Sequence, residues 1–302
     1  MEVEGSVGAA AMLRELIDIV IQPFVIGPGS RLYFLNFIIF IVCGAAVYWF
    51  ARPKNETARG PLGYIFPRRM YLSNSSLVDF KIYVANHFVS FKAAGIRILS
   101  VTLVASVVAA GLEPVLGGFE LDGQSTLALI ACTILIAMAN DFATYLTHRF
   151  SHENRLLWPF HKVHHSAEHL TPLTLFRKHP VYSLFGTAIQ PLIAGPLIAV
   201  FVLIFNQYNV WTMLGMNVVY AAFNFAGANL RHSHIWIDFG PVLSRIFISP
   251  AMHQIHHSID PKHYDRNYGE VFALWDWAFG TIYVPKGRET LEFGVLADHE
   301  PV

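Results

Sequence analysis

VYSLFGTAIQPLIAGPLIAVFVLIFNQYNVWTMLGMNVVYAAFNFAGANL, residues 181–230, runs for fifty residues without one formal charge. A helix needs about 20 largely apolar residues to cross a bilayer core, so the run has room for two spans, 183–205 and 210–230, with a turn near Asn206 to Asn209. Outward from it, Leu32 to Ala51 carries no Asp, Glu, Lys or Arg and reads as a first span. Ile98 to Leu116, interrupted by Glu113, reads as a second, and 126–147, which holds Asn140 and Asp141, as a third. The fold class is therefore all-α integral membrane with five transmembrane helices, or four if the first only grazes the bilayer. Composition agrees: 54% of the 302 residues are hydrophobic and 14% charged, against about a quarter charged in soluble domains.

Basic and acidic residues number 21 each. With no polycationic surface to release counterions, nucleic acid is excluded as the main partner. Cys43 and Cys132 both lie inside apolar runs, which leaves no disulfide framework and no cysteine zinc site. Met12 to Phe24 spaces Leu, Ile and Val helically around Arg14, Glu15 and Asp18, so residues 1–30 are set apart as an N-terminal segment with an interfacial helix. Residues 31–302 form one membrane-embedded unit, in which 148–180 and 231–290 make a cap. Arg52 to Arg97 is basic, while the turn after the second span offers only Glu120 and Asp122. Placing the basic segments in the cytoplasm puts the cap there too. The first span has no basic lead or small-residue cleavage site and is read as a retained anchor.

The chemistry lies in histidine, of which there are fifteen. His148 pairs with His152, and His-x-x-His-His occurs twice, at His161, His164, His165 and at His253, His256, His257. Chance supplies that pattern about 0.04 times in a chain of this length. Positions i, i+3 and i+4 share a helix face, so each group aims its imidazoles together. Neutral imidazole ligates iron, zinc, copper and nickel, and eight donors exceed what one four-coordinate zinc uses, which favours two metals. The Glu-x-x-His of soluble di-iron bundles is absent. His152-Glu153-Asn154-Arg155 fails as a zinc-protease motif because Leu156 follows. A membrane zinc hydrolase leaves half the histidines unexplained, and a metal transporter would want ionisable residues along its spans; both stay open as alternatives.

These motifs resemble the fatty acid hydroxylase and sterol desaturase superfamily of integral-membrane non-haem di-iron enzymes. The likeness rests on Asp141-x-x-x-Tyr145-x-x-His148-Arg149-x-x-His152, His161-Lys162-x-His164-His165-Ser166 and Pro250-x-x-His253-x-x-His256-His257. It extends to Asn267-Tyr268-Gly269 and Trp275-Asp276-x-x-Phe279-Gly280-Thr281. The run after His165 and Arg177-Lys-His179-Pro180 look more like bacterial members. The resemblance implies a helical stalk, a cytosolic cap and two irons, with dioxygen as co-substrate for hydroxylating or desaturating an unactivated C–H bond of a membrane lipid, such as a sterol or fatty acyl chain. It implies His232 as a further ligand in preference to His234, and carries His179 as a tenth beside a structural reading. His169 is read as a surface residue, and His87, His263 and His299 as bland.

Asp141, Tyr145, His148 and His152 share one helical stripe, so Asp141 is expected to hold a ligand imidazole's other N–H, with Asp276 doing similar work near the third group. Arg149 is expected to meet lipid headgroups or a carboxylate. No dinucleotide fingerprint, haem-attachment motif or ferredoxin cysteine set is present, so electrons are expected from a separate reductase with a ferredoxin or cytochrome, docked on basic cytoplasmic loops. The chain is placed in the bacterial inner membrane, or in the endoplasmic reticulum of a eukaryote.

Overall fold

The computed structural model describes residues 33–52, 60–93, 99–119, 121–206, 209–213 and 216–296. The interfacial helix expected at Met12 to Phe24 lies outside them, as does His299. The described part is mostly helical. Among the described residues, two helices are long and apolar enough to cross a membrane: α6 (Thr126–Glu153, 28 residues) and α8 (Pro180–Phe205, 26 residues). At about 1.5 Å per residue, α6 exceeds a bilayer core by roughly two turns, and those last turns carry His148 and His152. Ser125 starts α6 by accepting the Ala128 N–H at 3.3 Å.

Helix α1 (Phe34–Phe50, 17 residues) and helix α5 (Val101–Leu116, 16 residues) are apolar but shorter. Between them, where sequence indicated only basic character, lie α2 (Gly60–Ile65), α3 (Arg68–Tyr71) and α4 (Asn74–Ala93). Helix α8 packs against both α5 and α6. A Cβ at Gly195 would sit 2.7 Å from Val104 Cγ1, so the α5–α8 approach requires glycine there. Phe40 of α1 is fully buried with Tyr64, Ile65, Leu230 and Ile235, which ties α1 to the turn that carries His232. Away from these contacts, α1, α5 and α6 leave Phe34, Val42, Leu103, Val107 and Leu127 exposed.

The expected fifth span at 210–230 is not one helix. Past Phe205 the chain turns at Asn206, in the left-handed region at φ 52°. It then forms a two-residue antiparallel hairpin, β1 (Thr212–Met213) with β2 (Met216–Asn217), and an eight-residue helix, α9 (Val218–Phe225). A 3-10 turn at Ala228–Arg231 follows. Composition was apolar enough for a span, but its amides interrupt it. Asn217 caps α9 through the Val219 N–H (2.9 Å) and donates to the Thr133 carbonyl on α6 (2.9 Å). Gly227, at φ 99°, then breaks the run.

Of the remaining short helices, α7 (Trp158–His165), α11 (Pro250–His256) and α12 (Leu274–Ala278) meet the C-terminal half of α6, and α10 (Gly240–Leu243) precedes α11 in the chain.

Candidate metal centre

Three helices and one turn converge on the histidines. Helix α6 supplies His148 and His152 from its last turns. Helix α7 begins with a proline in its first turn and buries His161, His164 and His165. Helix α11 is started by Ser249, whose hydroxyl accepts the Met252 N–H at 3.2 Å, and carries His253 and His256, with His257 just past its end. His232 follows the Ala228–Arg231 turn.

Their nitrogens form two buried groups, each with all candidate ligand atoms within 4.8 Å of one another. One group is His148, His152, His161, His165 and His256, and the other is His164, His232, His253 and His257. The sorting follows helix geometry. In each His-x-x-His-His motif the first and last residues, four apart, stay together, while the middle one crosses to the other group. The two motifs therefore exchange one histidine reciprocally, and each group is built from both short helices. His152 Nε2 faces His165 Nε2 at 3.1 Å, and His232 Nε2 lies 3.1 Å from His253 Nε2 and 3.3 Å from His164 Nε2.

A family model described as fatty acid hydroxylase matches residues 133–281, the stretch that holds all nine of these histidines. The chain belongs to the fatty acid hydroxylase family. It is 31% identical over 159 residues to the ornithine lipid hydroxylase OlsE of Rhizobium tropici, covering 51% of this chain and 43% of that protein. It is 28% identical over 179 residues to an alkylglycerol monooxygenase of Caenorhabditis elegans (59% and 32% covered). With a delta(7)-sterol 5(6)-desaturase of Eremothecium gossypii it shares 26% over 176 residues (56% and 42%). The match thus spans less than half the length of these relatives. No solved structure matches the chain.

Of the ten histidines expected to ligate in this family member, the structure brings nine together and leaves out His179. That residue caps α8, its Nδ1 accepting the Val181 N–H at 3.2 Å, while its ring packs on Phe160. His234 is turned away, its Nε2 donating to the Tyr64 carbonyl at 2.7 Å. His263 meets Glu289 at 3.1 Å.

The expectation that Asp141 holds an imidazole is corrected. Its carboxylate accepts the Val271 and Phe272 N–H groups (2.9 and 3.1 Å) and the Trp275 indole N–H (3.0 Å). One turn on, the Tyr145 hydroxyl meets Thr281 Oγ1 at 3.2 Å and accepts from Arg149 at 3.3 Å. Arg149 itself pairs with Glu153 at 2.9 Å, a carboxylate. The polar stripe of α6 is thus a rail onto which residues 271–281 dock. The imidazoles are held instead by backbone carbonyls: His148 Nδ1 donates to Tyr268 O and His256 Nδ1 to Arg266 O, both at 2.7 Å. Such acceptors fix the tautomer and turn Nε2 toward the centre. Sequence reading missed them because a carbonyl acceptor has no residue-type signature.

Asp276 acts on this loop. Its carboxylate accepts the Tyr268 and Gly269 N–H groups, each at 2.8 Å, and the Thr281 hydroxyl at 2.6 Å. A Cβ at Gly269 would stand 2.5 Å from the Phe272 carbonyl oxygen, so only glycine fits. Asn267, at φ 59°, donates to the Met252 and Tyr283 carbonyls and accepts the Tyr283 N–H at 2.7 Å. Asp276→Ala is expected to lower metal affinity about 10–100-fold, the usual cost of losing an outer partner, with helix content kept. Chelator competition measures it, and wild-type affinity would remove Asp276 from this role.

His148 Nε2, His256 Nε2 and both nitrogens of His161 and His257 are buried with no hydrogen-bond partner. Each orphan costs about 1–3 kcal/mol, and a metal ion would satisfy the lone-pair nitrogen of each of these four rings. Burial holds His161, His164, His165, His253 and His257 well below the usual histidine range and His256 at about 4. Near neutral pH they are uncharged, as ligation requires. In the unfolded chain the same rings titrate near ~6.5, so their contribution to metal-free stability is full above that pH. It is lost as pH falls toward the folded values, at about 1.4 kcal/mol per histidine per pH unit. Chelator-treated protein should therefore melt well lower at pH 5 than at pH 7.5; an equal midpoint would contradict the buried neutral cluster.

Proposed function

We propose that the chain is an O2-dependent oxidoreductase that holds two iron ions and hydroxylates an unactivated C–H bond in the hydrocarbon part of a membrane lipid. The observation that carries this reading is the pair of buried, neutral all-histidine groups inside the family-matched stretch. His148, His152, His161, His165 and His256 hold one iron, and His164, His232, His253 and His257 the other. Bound ferrous iron supplies dioxygen activation and hydrogen abstraction. One oxygen atom enters the lipid and the other leaves as water, which consumes two electrons and two protons. Those electrons come from a separate reductase with a ferredoxin or cytochrome, since the chain carries no redox motif of its own. Hydroxylation is favoured over desaturation by the hydroxylase and monooxygenase names of the relatives at 28–31% identity, whereas the desaturases stand at 26–27%.

Residues 31–302 act as one catalytic unit, with α6 and α8 crossing the bilayer and α1 and α5 as shorter spans. The exposed apolar side chains on α1, α5 and α6 support this, because such faces are stable only in apolar surroundings. The basic Arg52 to Arg97 segment, on the same side as the cap, supports a cytosolic position for the histidines, in a bacterial inner membrane or in the endoplasmic reticulum.

Total lipids from aerobic cells making the wild type are compared by mass spectrometry with those from cells making His164→Ala plus His165→Ala, under labelled dioxygen. A lipid gaining one labelled oxygen only with the intact cluster is expected. Loss of two hydrogens would make the enzyme a desaturase. One zinc per chain and no lipid change would overturn the oxygenase reading.

A further inference from the structure

We infer that the cavity between α9 and the Phe239–Pro250 segment receives one unbranched hydrocarbon chain of a membrane lipid and leads it toward the four-histidine group. Calling that lipid the substrate rests on the oxygenase reading above; the cavity's affinity for a hydrocarbon chain does not. The cavity measures about 490 Å³, and its walls include Val219, Phe223, Phe247, Ile248 and Val271. That volume lies inside the ~300–1,000 Å³ of small-molecule sites. Space exists because Ala222 on α9 and Ala226, which caps its C-terminal end one turn later, both line it and neither fills it.

Arg231 is the one charged residue among those lining the cavity, and its charge is already paired with Glu270. Its guanidinium pairs with Glu270 at 3.2 Å and lies 5.1 Å from the Phe223 ring centroid. The interior therefore offers hydrocarbon and no partner for a headgroup, so a polar head stays at the mouth while a chain enters. In the chain between the lining residues Phe239 and Phe247, Val242 is 67% and Leu243 52% exposed, an apolar skin suited to a lipid surface. The chain links the wall to the histidines. Arg231 immediately precedes His232, and Ile248 and Pro250 lead into α11 and His253.

A second cavity, about 480 Å³ between α5, α6 and α8, serves less well. It contains the Gln190–Asn140 hydrogen bond (2.7 Å), a polar pair that a chain would have to cover. Asn140 also stands two turns before His148, roughly 12 Å along the helix.

The test is photolabelling of the full chain in detergent with an 18-carbon alcohol bearing a terminal diazirine, followed by peptide mapping and iron counting. Adducts are expected in residues 218–227 and 239–250. Ala222→Phe should reduce them about tenfold, in line with added bulk in an apolar pocket, while iron per chain is unchanged. Phe247→Ala, which widens the opposite wall, should shift preference to longer chains. Adducts confined to the α5–α6–α8 cavity, or labelling unmoved by Ala222→Phe in iron-replete protein, would overturn the assignment. Adducts at the expected peptides in a wild type that holds no iron and oxidises no lipid would uphold the hydrocarbon site and remove the oxygenase reading alone.

Discussion

His257→Ala should leave the protein folded, cut its iron from two ions per chain to one, and reduce lipid oxidation by more than the ~10–100-fold that loss of an outer partner costs. The reason is where His257 stands. It is one of only four donors in its group, the other group having five. Both of its nitrogens are buried without a hydrogen-bond partner, so the substitution removes no hydrogen bond that the protein makes with itself. What it removes is a ligand, together with the stacking of its ring on His165 at 4.5 Å. His148→Ala makes the contrasting case, because it also deletes the anchor to Tyr268 O, and its group still keeps four donors. Metal analysis with circular dichroism decides between them. Two irons and full activity in His257→Ala would end the proposed assignment of the four-histidine site.

Asp79→Ala should destabilise the protein by about 3–5 kcal/mol, the range for removing one partner of a buried ion pair. Asp79 is fully buried on α4, and Arg177 reaches it at 3.0 Å. The same guanidinium donates to the Val163 carbonyl (3.0 Å), the Ser166 carbonyl (3.1 Å) and the Ser166 hydroxyl (2.9 Å). It therefore ties down the C-terminal end of α7, where His161, His164 and His165 sit. Thr174 donates to the other Asp79 oxygen at 2.7 Å, completing the clamp. Burial alone pushes the Asp79 carboxyl up, and Thr174 and Arg177 oppose that push. Losing the carboxylate strands a buried cation, so the melting temperature should fall on the order of 10 °C. Iron should bind more weakly as well, since its α7 donors are no longer held. Replacing both partners by apolar residues, Asp79→Leu with Arg177→Met, should recover much of the stability, with iron affinity still impaired. Equal melting of Asp79→Ala and wild type would show that the clamp contributes nothing.

Neither partner of that clamp was flagged as such by sequence. Asp79 lies in a segment that reads only as basic, and the pair is separated by about a hundred positions, a distance over which local spacing carries no signal. Asp141 shows the opposite error. Its place on the α6 stripe was legible from the four, three, four spacing, but spacing says which face a side chain shares and not what comes to meet it. Backbone N–H groups of Val271 and Phe272 met it, not an imidazole. For His179 the structure shows the structural one of its two readings, since a histidine before a helix-starting proline caps that helix as readily as it ligates.

The sequence by itself determined that the chain is helical and apolar, and that eight histidines stand at helical spacing; likeness to a known family then added His232. These are properties of periodicity and residue type, which are local. Tertiary structure alone decided how the histidines divide into five and four, because the middle residue of each His-x-x-His-His motif must cross to donors from the other helix. It also decided that 210–230 folds as a hairpin and a short helix, because Asn217 bonds to α6 and Gly227 interrupts what hydropathy reads as continuous. The carbonyls of Tyr268 and Arg266 reach His148 and His256 only once Asp276 and Asn267 have shaped their loop. Backbone acceptors belong to every residue type, so their placement is written in the packing and not in the letters.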